Sequence, residues 1–283
     1  MLDLPSALLG RVLSTAAASG CPPPELASVC RRFRDALVTS FAGAGITLSP
    51  ACTRLPWDST TPQLTRFQVE GDPAALPDAE VARLAGVTSL SSVHISGCAL
   101  DVGLRSLAAL PALHRLDVSS CTLSVAAIEH LARATALRSL DASHCDAINN
   151  AAAAHIAQIA SLTALVLRCC THVTDAAVAV LAGLPSLCAL DLNSCSLTDA
   201  CGEHLVRATS LQQLSLRGCC DLTAAVLAPL GGARLLSHLD FSFCCLDASA
   251  LPRLAALSSL RELHVIGCPN IPLAGALAAR LPA

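Results

Sequence analysis

One spacing constrains this chain more than any other property. The pattern L-x-x-L-x-L-x-x-C occurs as Leu113-Leu116-Val118-Cys121, Leu187-Leu190-Leu192-Cys195 and Leu211-Leu214-Leu216-Cys219. Close variants begin at Leu90, Leu137, Leu162, Leu236 and Leu260, and a degenerate copy at Leu64-Phe67-Val69 has Asp72 in place of the cysteine. From Cys98 to Cys268 the successive intervals are 23, 24, 25, 25, 24, 25 and 24 residues. Self-similarity at such a period marks a stacked array, because a unit this short cannot bury its apolar face without a neighbour.

Each unit carries the same local signals. Alternating anchors such as Leu116 and Val118 suit a strand with one face inward. Shortly after the cysteine comes an aliphatic residue followed by a helix-capping type: Leu100-Asp101, Leu123-Ser124, Ile148-Asn149, Val173-Thr174, Leu197-Thr198, Leu222-Thr223 and Leu246-Asp247. Asp, Ser, Asn and Thr accept hydrogen bonds from the free N–H groups that begin a helix. Helical spacing then follows, as in Ile128-Leu131 and Val178-Leu181-Leu184. Each unit therefore reads as a short strand, a tight turn holding the cysteine, and a returning helix. Stacking predicts an α/β solenoid with a parallel sheet on its concave face and helices on its convex face.

Composition agrees with that reading. The chain is 53% hydrophobic but only 2% aromatic, so its core must be filled by many small aliphatic layers. Its 16 cysteines are spread along 283 residues, which suits reduced, buried thiols acting as small hydrophobes in a cytoplasmic or nuclear protein. Cys98, Cys121, Cys145, Cys170, Cys195, Cys219, Cys244 and Cys268 are expected to lie buried in a line. No C-x-x-C occurs, and Cys201 with His204 has no second pair, so neither metal nor cofactor is expected. A net charge of -3 provides no basic field for a nucleic acid. The run 147–167 lacks Asp, Glu, Lys and Arg but follows the repeat register and holds Asn149, Asn150, His155 and Gln158, so no membrane span is expected. The first 20 residues lack a basic leading region and carry Asp3 and Arg11, which predicts mature structure rather than a signal peptide. All 18 basic residues are Arg, since the sequence has no Lys; it also has no Tyr.

Residues 1–45 depart from the repeat. Leu8, Leu9, Val12 and Leu13 fall at helical spacing behind Pro5, and Leu26, Val29, Cys30 and Phe33 form a second apolar face beyond the Pro22–Pro24 loop. Two such short helices need a partner or the first coil to cover them. The repeats resemble the cysteine-containing leucine-rich repeats of F-box proteins, which serve as receptors of ubiquitin ligases. The leading segment resembles an F-box in Leu4-Pro5, Leu8-Leu9 and Val29-Cys30-Arg31-Arg32-Phe33, although Ser6-Ala7 replaces the usual acidic residue. The resemblance implies a short α-helical F-box-like segment over 1–45 and a leucine-rich-repeat solenoid over 46–283. It further implies that Leu4, Pro5, Leu8, Leu9, Val12, Val29, Cys30 and Phe33 face a Skp-type adaptor or brace the helices that do. A plain cap over the end of the solenoid is the alternative for this segment.

Alternation along the strands places two columns outward. One is His94, Asp117, Asp141, Val166, Asp191, Ser215, Asp240 and His264; the other is Ser96, Ser119, Ser143, Arg168, Asn193, Arg217, Ser242 and Ile266. Asp117, Asp141, Arg168, Asp191, Asn193, Arg217 and Asp240 make a candidate partner patch, with the Arg residues offsetting the Asp row. A merely solvated consensus row is the other reading of those Asp residues. The mixed signs disfavour a phosphate backbone as ligand. No phosphate loop or nucleophile motif is present, so no catalytic residue is expected. The resemblance implies a substrate receptor of an SCF-type ubiquitin ligase, working through an adaptor and a cullin toward proteasomal degradation; the alternative is a stand-alone interaction scaffold.

Overall fold

The computed structural model describes residues 45–48, 65–69, 76–268 and 271. Ten strands form one parallel sheet in chain order: β1 Gly45–Leu48, β2 Arg66–Val69, β3 Ser92–His94, β5 Arg115–Asp117, β7 Ser139–Asp141, β8 Ala164–Val166, β9 Ala189–Asp191, β10 Gln213–Ser215, β11 His238–Asp240 and β12 Glu262–His264. Two short strands, β4 Ala99–Leu100 and β6 Thr122–Leu123, pair separately in parallel. Equivalent anchors lie opposite one another, so Val93 pairs with Leu116, Leu116 with Leu140, and so on to Leu263. The repeat spacing is the reason: each interval returns the chain one strand further along. Between strands run helices of four to seven residues, such as Val125–Leu131 and Asp175–Leu181, stacked side by side.

From Phe67 to Leu260 the described anchors are buried in one continuous core with all eight column cysteines, Leu263 packs against it partly buried, and those cysteines are free thiols. From Cys121 onward, each column thiol donates to a backbone carbonyl of the preceding coil. Cys121 Sγ bonds the Ile95 carbonyl at 3.2 Å, Cys195 that of Leu167 at 3.1 Å and Cys268 that of Phe241 at 3.2 Å. A small hydrophobe with an S–H donor fits this position better than alanine does. Burial pushes the Cys121, Cys145 and Cys244 thiols up to about 12, so they keep the protons they donate.

The residue before each column cysteine adopts positive φ: Gly97, Ser120, His144, Cys169, Ser194, Gly218, Phe243 and Gly267. That kink ends the strand alternation and turns the next side chain into the core. It also accounts for the doublets: Cys169 occupies the kink and is half-buried, whereas Cys220 and Cys245 follow the column cysteine and are exposed. The hydrogen-bond ladder continues through the kink, since Ser194 N–H donates to the Arg217 carbonyl and Phe243 N–H to that of Ile266.

Helix starts follow the expected capping in part. Ser124, Asn149 and Thr223 side chains accept from the first-turn N–H groups of their own helices. Asp101 and Thr174 do not. Those starts are held from the preceding coil: the Asp78 carboxylate takes the N–H groups of Asp101, Val102 and Gly103, and Asn150 takes that of Thr174. Asp175 and Asp199 hold Thr198 and Thr223 in the same way. In a stack, the adjacent coil lies as close to a helix start as the residue's own side chain does.

The 147–167 run contains the helix Asn150–Ile156 and strand β8, and among the described residues no helix is long and apolar enough to cross a membrane. Leu4, Pro5, Leu8, Leu9, Val12, Val29, Cys30 and Phe33, with the F-box-like segment they define, lie outside the described residues.

Candidate functional site

The concave sheet carries a trough of about 490 Å³ between β8 and β12. Arg168, Asp191, Asn193, Arg217 and Asp240 line it together with Ser215, Gln213, His238, Glu262 and His264. Five of the seven candidate partner residues are thus brought together. Asp117 and Asp141 lie on β5 and β7, beyond the lining.

Each aspartate of the row also builds its own turn. One carboxylate oxygen accepts the N–H two residues on: Asp117 from Ser119, Asp141 from Ser143, Asp191 from Asn193 and Asp240 from Ser242. This fold of side chain onto backbone is what Asp does at strand ends. The row is therefore structural as well as outward-facing. Asp117 and Asp141 pair directly across strands. The Asp117 carboxylate also contacts the His94 ring, and Asp141 accepts the Ser143 hydroxyl at 2.6 Å.

The two arginines differ. Arg168 Nε lies 2.7 Å from Asp191, a contact that raises its pKa further and leaves Asp191 with both oxygens engaged. Arg217 was expected to offset the aspartates. Instead it lies over the Phe243 ring, 4.6 Å from guanidinium carbon to ring centroid. Among the described residues no carboxylate is in salt-bridge reach of Arg217.

The second column needs a correction. Ser143 and Ser242 were expected outward but are buried. The positive-φ kink that follows breaks strand alternation, so the small hydroxyls turn under the next coil. There they accept the Arg168 and Ile266 N–H groups, at 3.2 and 3.1 Å. Asn193 does the same for Arg217 at 3.1 Å.

Gln213, His238 and Glu262 were not among the candidates. They occupy the outward position just before the middle anchor, so alternation pointed to them all along. Glu262 bridges its own strand and the preceding one, with Oε1 2.7 Å from His264 Nε2 and Oε2 3.3 Å from His238 Nε2. Phe243 was missed for another reason: its position becomes visible only when the kink before the cysteine is known. Glycines at 97, 218 and 267 were the available hint. Among the described residues no His, Cys, Asp or Glu cluster is arranged to hold a metal ion.

The structure is similar to that of internalin C2 from Listeria monocytogenes strain 4b F2365, with a TM-score of 0.53 and 25% identity, covering 70% of this chain and 79% of that one. The fold is a leucine-rich-repeat solenoid. Such a solenoid is a protein-interaction fold, and the trough lies on its concave sheet. No protein-family model matches the chain. No curated protein matches it either.

Proposed function

We propose that the trough binds a protein partner and that the chain acts as a receptor with no chemistry of its own. The supporting observation is a concave surface carrying both signs of charge, with Arg168 and Arg217 beside Asp191, Asp240 and Glu262. Complementary mixed charge gives register and selectivity to a protein ligand, whereas a polyanion would be repelled by half of it.

At finer resolution, the proposal is a substrate receptor of an SCF-type ubiquitin ligase in the cytoplasm or nucleus. Residues 1–45 would dock a Skp-type adaptor carrying a cullin, and the trough would hold the substrate. This rests on the resemblance of Leu4-Pro5, Leu8-Leu9 and Val29–Phe33 to an F-box. A pull-down with recombinant adaptor tests it: the unmodified chain binds, and L8D/L9D abolishes binding while the melting midpoint of the solenoid holds. No binding by the unmodified chain overturns the ligase link. The second reading is a stand-alone scaffold in which the leading segment only caps the apolar end of the stack. It predicts that L8D/L9D lowers the melting midpoint instead.

A further inference from the structure

We propose that Arg217, Phe243 and Ile266 form a clamp for an acidic residue beside a large apolar one in an extended segment of the partner protein. This deepens the reading of the concave face as the binding surface and rests on it.

Three local choices agree. Phe243 sits at φ +60°, where the other seven repeats place Gly, Ser, Cys or His, and the residue is 48% exposed. A bulky residue there is strained, and strain of this kind is retained where the surroundings use it. The chain has five Phe; Phe67 and Phe241 are buried while Phe243 is not. One coil on, Gly267 makes room for the ring, since a Cβ there would come within 2.5 and 2.6 Å of its Cδ1 and Cε1 atoms. One coil back, Arg217 stacks on the same ring, with its backbone N–H pinned by Asn193.

A cation held over a ring face uses its charge there without spending its N–H groups, which stay available to a ligand. Arg168, at the equivalent position two coils earlier, spends its Nε on Asp191. Among the described residues no carboxylate pairs with Arg217, so it offers its charge to a partner's carboxylate. On the far side of Phe243, two coils beyond Arg217, Ile266 is 60% exposed in a column otherwise polar from Arg168 to Ser242. Phe243 and Ile266 are joined through the Phe243 N–H and Ile266 carbonyl at 2.7 Å, which fixes an apolar shelf next to the cation. Aromatic and arginine anchors of this kind carry most of the binding energy at protein interfaces.

The ligand charge follows from the neighbours. Asp191, Asp240 and Glu262 lie in the same trough, so a singly charged carboxylate is favoured over a doubly charged phosphate. The planar fork of Arg also matches a carboxylate in two parallel hydrogen bonds.

The test is selection of a displayed random 12-residue peptide library on the full chain, followed by fluorescence anisotropy with the enriched peptides. Enriched sequences should carry Asp or Glu next to a large apolar residue. Arg217→Ala and Phe243→Gly should each weaken binding by tenfold or more, and Arg217→Lys by an intermediate factor. Phe243→Gly separates binding from folding, because removing the strained side chain should leave the melting midpoint unchanged or higher while binding falls. Peptides lacking an acidic residue, peptides bound only when phosphorylated, or no enrichment at all would overturn the clamp. Binding that is lost on Asp240→Arg but unaffected by Arg217→Ala and Phe243→Gly would overturn the clamp and leave the concave-face reading standing.

Discussion

At the scale of single residues, the turn between strand and helix is where this sequence commits itself. Three side-chain choices meet there: an Asp, Ser or Asn that holds the strand end, a residue at positive φ, and a cysteine. The cysteine is small enough for the turn and still has a proton for the carbonyl left over by the previous coil, as Cys195 does for Leu167 at 3.1 Å. Cys195→Ala removes both sulfur volume and donor, and should cost about 1 to 2 kcal/mol by urea denaturation. Cys195→Ser keeps a donor and should fall between. Exposed Cys220→Ala should shift the midpoint little, within about 0.5 kcal/mol. A Cys195→Ala protein as stable as the parent would show that the thiol bond contributes nothing. In the same turn Ser194 sits at φ 55°. Ser194→Gly should raise stability by roughly 1 kcal/mol, since glycine enters that region without the Cβ clash.

At the scale of elements, neighbouring coils complete one another. The Val102–Ala108 helix has no side-chain cap of its own and begins against the Asp78 carboxylate, which takes three of its N–H groups at 2.7 to 3.1 Å. Asp78→Ala should therefore destabilise by about 1 to 2 kcal/mol although Asp78 belongs to another coil. Hydrogen exchange at Val102 and Gly103 should rise with it; unchanged exchange there would refute the cross-coil cap. This arrangement marks the limit of what sequence shows. Strands were legible, because period-two anchors such as Leu116 and Val118 recur in register, and so was the cysteine line. Helix starts were legible only as capping types. Whether Thr174 caps its own helix or is held by Asn150 depends on a residue 24 positions away, and no local pattern carries that. The site was legible in the same partial way: alternation pointed Arg168, Asp191 and Asp240 outward, but could not show that Arg217 would choose a ring over a carboxylate. Ser143 and Ser242 went wrong because alternation stops at the kink.

At the scale of the whole molecule, composition sets the response to chemistry. No lysine occurs in these 283 residues. If the chain serves a ligase, no ε-amine within them can take ubiquitin through an amide bond, and Arg is no substitute because its guanidinium stays protonated. A reconstituted ligase reaction read by peptide mass spectrometry should find no amide-linked ubiquitin on any of these side chains. The same composition makes the alkaline range informative. Lys and Tyr titrate near pH 10 in ordinary proteins, and this chain has neither. Between about pH 8 and 11 its side-chain titration is therefore left to cysteine, because Arg titrates higher still. Burial raises six of the column thiols, Cys98, Cys170 and Cys219 to about 11 and Cys121, Cys145 and Cys244 to about 12, from an ordinary value of 9.0. A raised folded-state pKa means that the unfolded chain releases protons first. Below pH 9 both states hold their thiol protons and stability is fully present. Above it these six thiols ionise first in the unfolded state, so stability declines as pH rises from 9 toward their folded values of about 11 to 12. Urea midpoints should be level from pH 7 to about 8.5 and then drop steeply, with the thiolate absorbance of these six buried cysteines appearing together with unfolding rather than before it. A column that ionised near pH 9 in the folded protein would give early absorbance and a flat midpoint, and the buried, proton-donating thiol line would then be wrong.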